Sequence, residues 1–276
     1  MGSPIAETWV HVTTRIENEW QESGTGFLAA RLIDETQGKV FLITNKHVVN
    51  KEPQKRENAR FLTLFVNIRE NGGTISAKSF QIPLVVDGQR LWREHPNPHV
   101  DVLAVDVTLV IESVPQLERK WVDYSLFATP ELLQEQEITI GEEVLIIGYP
   151  LGLAHARTNF PLVRQGIVAT RIGEPIHIDV KVPSGKTERV EIPGFLVDSA
   201  VVPGSSGSPV VLKPVIGRMV GGGIRIGVAM PYLLGIVSGT RLARIETEEH
   251  VFSALAGLGL VYDAATVRDT IEMFFR

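Results

Sequence analysis

Short apolar runs broken by turn residues dominate this chain, and they constrain its fold more than any other feature. Gly26–Ile33 and Val40–Thr44 are apolar and joined by Asp34-Glu35-Thr36-Gln37-Gly38, a hairpin pattern. Arg60–Ile68 places Leu62, Leu64, Val66 and Ile68 on one face at period two. Val100–Val107, Glu143–Ile147, Gly166–Thr170, Gly194–Val197, Pro209–Leu212 and Leu233–Val237 extend the pattern. So many short strands point to an all-β barrel or sandwich. Helix signals are few. Pro130–Gln136 reads as a single turn, and the last segment as a helix. There Asp263 stands at the cap, and Val267, Ile271, Phe274 and Phe275 share a face. Two β-rich halves divide near residues 112–138.

Composition narrows the function classes. The chain has 276 residues with 25 Gly and 16 Pro, rich in turns but short of low complexity. It has no cysteine, which excludes disulfides, thiolate zinc sites and a cysteine nucleophile. A formal charge of −5 argues against a broad nucleic-acid footprint. No run reaches the length of a membrane span, and the first residues lack the basic start and apolar core of a signal peptide. The expectation is a cytoplasmic protein with no membrane or nucleic-acid partner, no cofactor and no metal.

Gly204-Ser205-Ser206-Gly207-Ser208-Pro209 lies between two apolar strand-like runs. A Gly/Ser run is often a linker, but here it reads as a tight turn between buried elements. Glycines at such a turn let backbone N–H groups converge where an oxyanion develops. A serine nucleophile needs a base, and His47 sits just past the run Phe41–Thr44. The base needs a carboxylate, and Asp101 opens the apolar run Asp101–Val105. Each residue alone has a structural reading: a packed histidine, a capping aspartate, a flexible serine. The chain order His47, Asp101, Ser206 is that of chymotrypsin-type enzymes, and the G-x-S-x-G elbow of α/β-hydrolases fails because position 208 is Ser.

Here the sequence resembles the trypsin-like serine proteases. Thr44-Asn45-Lys46-His47 resembles their histidine motif, His99–Val105 their aspartate strand, Gly204–Pro209 their serine motif, and Gly235–Gly239 the strand lining their cleft. Gly141–Leu153, Gly166-Ile167-Val168 and Asp198–Gly204 are similar to the disulfide-free, high-temperature-requirement branch. The resemblance spans roughly residues 22–245. It implies two six-stranded antiparallel β-barrels: residues 1–120 with His47 and Asp101, residues 121–246 with Ser206, and a C-terminal segment 247–276 with a helix. It implies a serine endopeptidase acting on polypeptides through an acyl-enzyme, with Gly204 and Ser206 as oxyanion donors. Ala200 and Val201 would form an apolar pocket floor, and Ser238, Gly239 and Thr240 the edge that pairs with substrate. The other reading is a peptide-binding module of the same fold, non-catalytic or switched on by a regulatory partner.

Some residues depart from that family pattern. Ser205 stands where zymogen-activated members carry Asp, so activation by N-terminal cleavage is not expected. Ser208 replaces the commoner Gly. Between Lys213 and Leu233 lies a Gly-rich insertion, read either as a disordered loop or as a lid that brings Arg218 or Arg225 to the cleft. Asp179 and Asp198 are rival carboxylates, but both fall in the second half. Gly185-Lys186-Thr187 lacks the first glycine of a phosphate loop, and the prolines of His95-Pro96-Asn97-Pro98-His99 forbid a helical metal pair.

Overall fold

The computed structural model describes residues 4–34, 37–51, 57–114, 116–117, 121–155, 157–181, 185–226, 230–246 and 251–276. An N-terminal helix α1 (Pro4–Val12) precedes the strands of the first half. These are β1 (Thr13–Asn18), β2 (Ser23–Leu32), β3 (Gly38–Thr44), β4 (Phe61–Arg69), β5 (Ile75–Pro83), β6 (Trp92–Glu94), β7 (Leu103–Asp106) and β8 (Val122–Asp123). They form one eight-stranded sheet in the order β6-β7-β3-β2-β1-β4-β5, with β8 paired to β2. In β4 the expected alternation holds: Leu62, Leu64, Val66 and Ile68 face the core. β7, flanked by β6 and β3, is buried on nearly every residue, as its unbroken apolar run requires.

The second half contains the closed ring. Its strands are β9 (Glu143–Gly148), β10 (Leu162–Val168), β13 (Gly194–Asp198), β14 (Pro209–Leu212), β17 (Leu233–Glu246) and β18 (Val251–Asp263), paired in the order β9-β10-β13-β18-β17-β14. β11 (Ile176–Lys181) and β12 (Thr187–Ile192) form a separate hairpin, as do β15 (Gly217–Val220) and β16 (Gly223–Ile226). The ring therefore takes in β18, which lies beyond the boundary at residue 246 expected from sequence. Each of these six strands pairs with a neighbour on both sides, though β10 meets β13 only at Ile167 and Val168, and β17 meets β14 only over residues 233–236.

Each terminus crosses to the opposite half. Trp9 on α1 is fully buried against Phe27, and its indole N–H donates to the Pro231 carbonyl at 2.9 Å. The C-terminal helix, α3 (Ala264–Glu272), buries Val267 and Ile271, and Phe274 just beyond it packs on Phe41 at 4.8 Å between ring centroids. Glu272 pairs with Arg31 at 2.9 Å and accepts from the Tyr124 hydroxyl at 2.7 Å. The capping expectation at Asp263 is corrected in detail. It occupies the cap position, but its side chain makes no cap hydrogen bond. Burial pushes its carboxyl up to about 7, against a hydrogen bond from the Gly173 backbone.

Candidate active site

His47 leaves β3 in the short helix α2 (Lys46–Val49). Val48 and Val49 anchor that turn in the core, while the His47 side chain stays 39% exposed. Asp101 lies between fully buried Val100 and Val102, immediately before β7. β7 pairs with β3 at Leu103↔Thr44, so the ladder itself carries Asp101 to His47. The Asn45 side chain donates to the Asp101 carbonyl at 2.6 Å and fixes the approach.

Three hydrogen bonds converge on the Asp101 carboxylate. His47 Nδ1 lies 2.5 Å from Oδ2, the His47 backbone N–H donates to Oδ1 at 3.1 Å, and the Ser238 hydroxyl donates to Oδ2 at 2.7 Å. A carboxylate facing Nδ1 holds that nitrogen protonated and leaves the Nε2 lone pair free. Burial pulls the His47 imidazolium down, but the Asp101 charge and hydrogen bond, with a smaller push from Glu22, outweigh it and raise its pKa above the ordinary histidine value. Burial likewise pushes the Asp101 carboxyl up. The His47 charge and the hydrogen bonds from His47 and Ser238 outweigh that and hold it below the usual carboxylate range.

Ser206 sits in the turn entering β14. Gly204 and Gly207 have φ of +87° and +88°, and a Cβ would lie 2.4 Å from the Tyr149 carbonyl oxygen at the first and 1.8 Å from the Thr25 carbonyl oxygen at the second. Both positions therefore demand glycine, by conformation and by space. The Leu151 N–H donates to the Pro203 carbonyl at 2.7 Å, and the Gly204 carbonyl accepts from the Thr25 hydroxyl at 2.8 Å. With both carbonyls held on that side, neither the Gly204 nor the Ser206 N–H meets a protein acceptor among the described residues. Ser205 is buried, and its hydroxyl has no partner among the described residues, so no counter-ion sits at this position.

The Ser206 hydroxyl donates to the Ser238 carbonyl at 3.0 Å and not to His47. Ser238 thus meets Asp101 through its side chain and Ser206 through its backbone. The structure brings His47 to Asp101 directly, and Ser206 to the pair through Ser238. Gly239 and Thr240 continue along β17, paired with Leu260 and Gly259 of β18, while pairing with β14 ends at Pro209↔Ile236. One backbone edge of residues 238–240 is therefore left open to a further strand.

The expected pocket floor needs revision. Ala200 is exposed, but Val201 is buried, with its Cγ2 methyl 2.4 Å from where a Cβ on Gly259 would stand. Arg164 was missed from the sequence. Its guanidinium donates to the Ser199 hydroxyl at 3.1 Å and to the Ala200 carbonyl, so a cation lies against a segment expected to be free of charge. Burial lowers the Arg164 pKa, and among the described residues no carboxylate offsets it. Arg164 shares the inward face of β10 with buried Gly166 and Val168. The 213–232 insertion is an ordered hairpin where described. Arg218 pairs with Glu142, and the Gly221 N–H donates to Glu137 at 2.7 Å. Glu142 lies at the far end of β9 from Gly148, about 20 Å at ~3.4 Å per residue, so Arg218 does not reach the cleft. The Arg225 side chain lies outside the described residues.

Comparison with known proteins follows the same lines. The sequence-family model described as a trypsin-like peptidase domain matches residues 24–221. No match was found among curated proteins. Among solved structures, the inactive form of the Rv3671c protease aligns at 19% identity with a TM-score of 0.52, over 98% of this chain and 92% of that one. An inactive form of Rv3671c from M. tuberculosis H37Rv aligns at 17% identity with a TM-score of 0.52, over 98% and 89%. Deg5 aligns at 15% identity with a TM-score of 0.50, over 98% and 91%. At these identities the likeness establishes the fold.

Proposed function

The chain belongs to the trypsin-like peptidase domain family, and from that premise we propose that it is a serine endopeptidase cutting polypeptides through His47, Asp101 and Ser206. The observation that carries this reading is the Asp101 carboxylate, which takes hydrogen bonds from the His47 ring, the His47 backbone and Ser238. A carboxylate so satisfied orients one imidazole tautomer and stabilises the imidazolium that forms in acyl transfer. On substrate binding the Ser206 hydroxyl rotates away from the Ser238 carbonyl toward His47 Nε2. It attacks the scissile carbonyl as His47 takes its proton, and His47 returns that proton to the leaving amine. The N–H groups of Gly204 and Ser206 receive the oxyanion; one such donor is worth roughly 2.7–4 kcal/mol in related chemistry. Water then hydrolyses the acyl-enzyme by the same base. The acyl part of the substrate adds as a strand along Ser238, Gly239 and Thr240. On this reading the eight-stranded sheet of the first half is the counterpart of the family's first barrel.

The test is fluorophosphonate labelling of intact protein, read by mass spectrometry, beside peptide hydrolysis. Label on Ser206, lost together with turnover in Ser206→Ala, is the expected result, and Ser206→Ala should melt within about 0.5 kcal/mol of the parent. Peptide hydrolysis by Ser206→Ala at the parent's rate would overturn the assignment. The Ser206 hydroxyl bond to Ser238 favours a second reading, a resting state that a partner converts. Labelling of Ser206 that is slow alone and fast with a peptide that binds only on the leaving side of the cut, so that the nucleophile stays open, would distinguish it.

A further inference from the structure

The turn that carries Ser206 is gripped from two sides. On one side is β17: Ser206 donates its hydroxyl proton to the Ser238 carbonyl, and the Gly207 N–H donates to the Val237 carbonyl at 2.8 Å. On the other is the start of β2: the Thr25 N–H donates to the Ser206 carbonyl at 2.8 Å, and the Thr25 hydroxyl holds the Gly204 carbonyl. A substrate whose acyl part lies along Ser238–Thr240 crosses Ser206 and departs over the start of β2. Whatever side chain stands there faces the leaving half of the polypeptide.

The charged side chain there is Glu22, immediately before Ser23, the first residue of β2. It is exposed, and a closed turn fixes its place. The Asn18 N–H donates to the Glu22 carbonyl, the Glu22 N–H donates to the Asn18 side-chain oxygen, and Gln21 between them has a φ of +65°. The Asn18 side-chain amide donates both to a Glu22 carboxylate oxygen at 2.9 Å and to the Val48 carbonyl at 3.1 Å. One amide nitrogen thus holds the Glu22 carboxylate within two hydrogen-bond lengths of the residue following His47. Its field reaches the imidazole, where it favours the charged ring. Among the described residues no lysine or arginine pairs with Glu22.

We propose that the Glu22 carboxylate binds a lysine or arginine at the first or second residue past the scissile bond. The inference rests on the hydrolytic reading above and deepens it by naming a substrate feature on the leaving side. An exposed carboxylate held in place by Asn18 gains from a basic partner without desolvating deeply, and repels an acidic one. An exposed ion pair of this kind changes a rate by up to about 5-fold. Because attraction and repulsion act on opposite substrates, Lys against Glu at that position should differ by roughly tenfold.

The experiment uses the full chain and two matched peptide sets that differ only in Lys, Gln or Glu at each of the two positions past the cut. kcat/KM for Lys should exceed that for Glu in the parent. In Glu22→Gln, which keeps the hydrogen bond from Asn18, the ratio should collapse toward one, and in Glu22→Lys it should invert. Raised salt should shrink the parent's ratio, as screening requires. Ring-proton NMR of His47 should show its ionisation shifted to lower pH in Glu22→Gln, a readout that needs no turnover. Cleavage with an unchanged Lys-to-Glu ratio in Glu22→Gln would overturn this inference and leave the hydrolytic reading standing. Absence of both cleavage and fluorophosphonate label in the parent would overturn the hydrolytic reading, and this one with it.

Discussion

The two halves of the cleft are prepared to different degrees. In the first half, His47 and Asp101 are already joined, and the Asp101 carboxylate takes hydrogen bonds from both halves. In the second, the nucleophile turn is fixed in its backbone, yet the Ser206 hydroxyl is parked on Ser238, and the Gly204 and Ser206 N–H groups find no protein acceptor among the described residues. The difference follows from charge. A half-buried carboxylate left unpaired costs several kcal/mol at all times, so its partners must be in place before substrate arrives. A neutral hydroxyl at the cleft costs little to re-aim, and N–H donors facing solvent are satisfied by water until an oxyanion replaces it.

The strongest way to break this contrast is Asp101→Asn. The amide keeps the shape but removes the charge and can present N–H to the ring, favouring the wrong tautomer. A loss in kcat on the order of 10⁴-fold is expected, as for the same change in a well-studied serine triad, while fluorophosphonate still reaches Ser206 slowly. Steady-state kinetics would decide it. A loss of only a few-fold would mean that the pair is not what activates the nucleophile, and that the two halves are less unequal than their hydrogen bonds imply.

A pH series sharpens the same contrast, because activity and stability should respond in opposite senses. Hydrolysis needs neutral His47, whose pKa is raised, so the acid limb of kcat/KM should lie above about 6.5. Each pH unit below that limb costs about tenfold. For stability the signs run the other way. His47 has a folded pKa above its unfolded one, so its contribution is fully present below about 6.5 and is lost as pH rises through the folded value. Asp101 has a depressed folded pKa, so its contribution is present above about 3.9 and is lost as pH falls through the folded value. Denaturant melts of Ser206→Ala, which cannot digest itself, should show the pair stabilising most in the window between those two pKa values. An acid limb at or below 6.5 would contradict the raised His47.

What was legible in the sequence divides along the same line. The strand runs, Asp101 at the mouth of an apolar strand and the glycines around Ser206 follow local rules, and the structure has the strands where the alternation puts them. The final helix is likewise visible from Val267 and Ile271. β5 and β12 were not, because their residues mix polar and apolar without clean alternation; β11 does alternate, Ile176, Ile178 and Val180 against polar neighbours, and was readable, while β18 is a nearly unbroken apolar run interrupted by glycines that owes its place to ring closure. Arg164 was invisible for a related reason. An arginine on the inward face of β10 violates the pattern, and only the end of the barrel, where Ser199 and Ala200 supply oxygens, makes it tolerable. Arg218 shows the converse. Its Gly-rich surroundings suggest a lid, but Glu142 holds it far from the cleft.

Arg164 gives the smallest and most discriminating prediction. Its guanidinium ties Ser199 and Ala200, the residues just ahead of the nucleophile turn, to β10, and it touches neither His47 nor Asp101. Arg164→Met keeps the aliphatic packing and deletes those hydrogen bonds. Bonds to a charged donor are worth about 1.5–3 kcal/mol when buried, and the partial exposure of Arg164 reduces this to about 1 kcal/mol here. The variant should melt slightly earlier. Because the loosened segment carries the expected pocket floor, KM should rise by about 2- to 5-fold with kcat less affected. Acidic residues on the acyl side of the cut should lose ground to small apolar ones such as Val and Ala, since the cation beside Ala200 is gone. The His47 titration followed by NMR should not move, since the prepared half owes nothing to this clamp. A shifted His47 pKa in Arg164→Met would show that the two halves are coupled through the 199–204 segment, and the contrast drawn between them would fail.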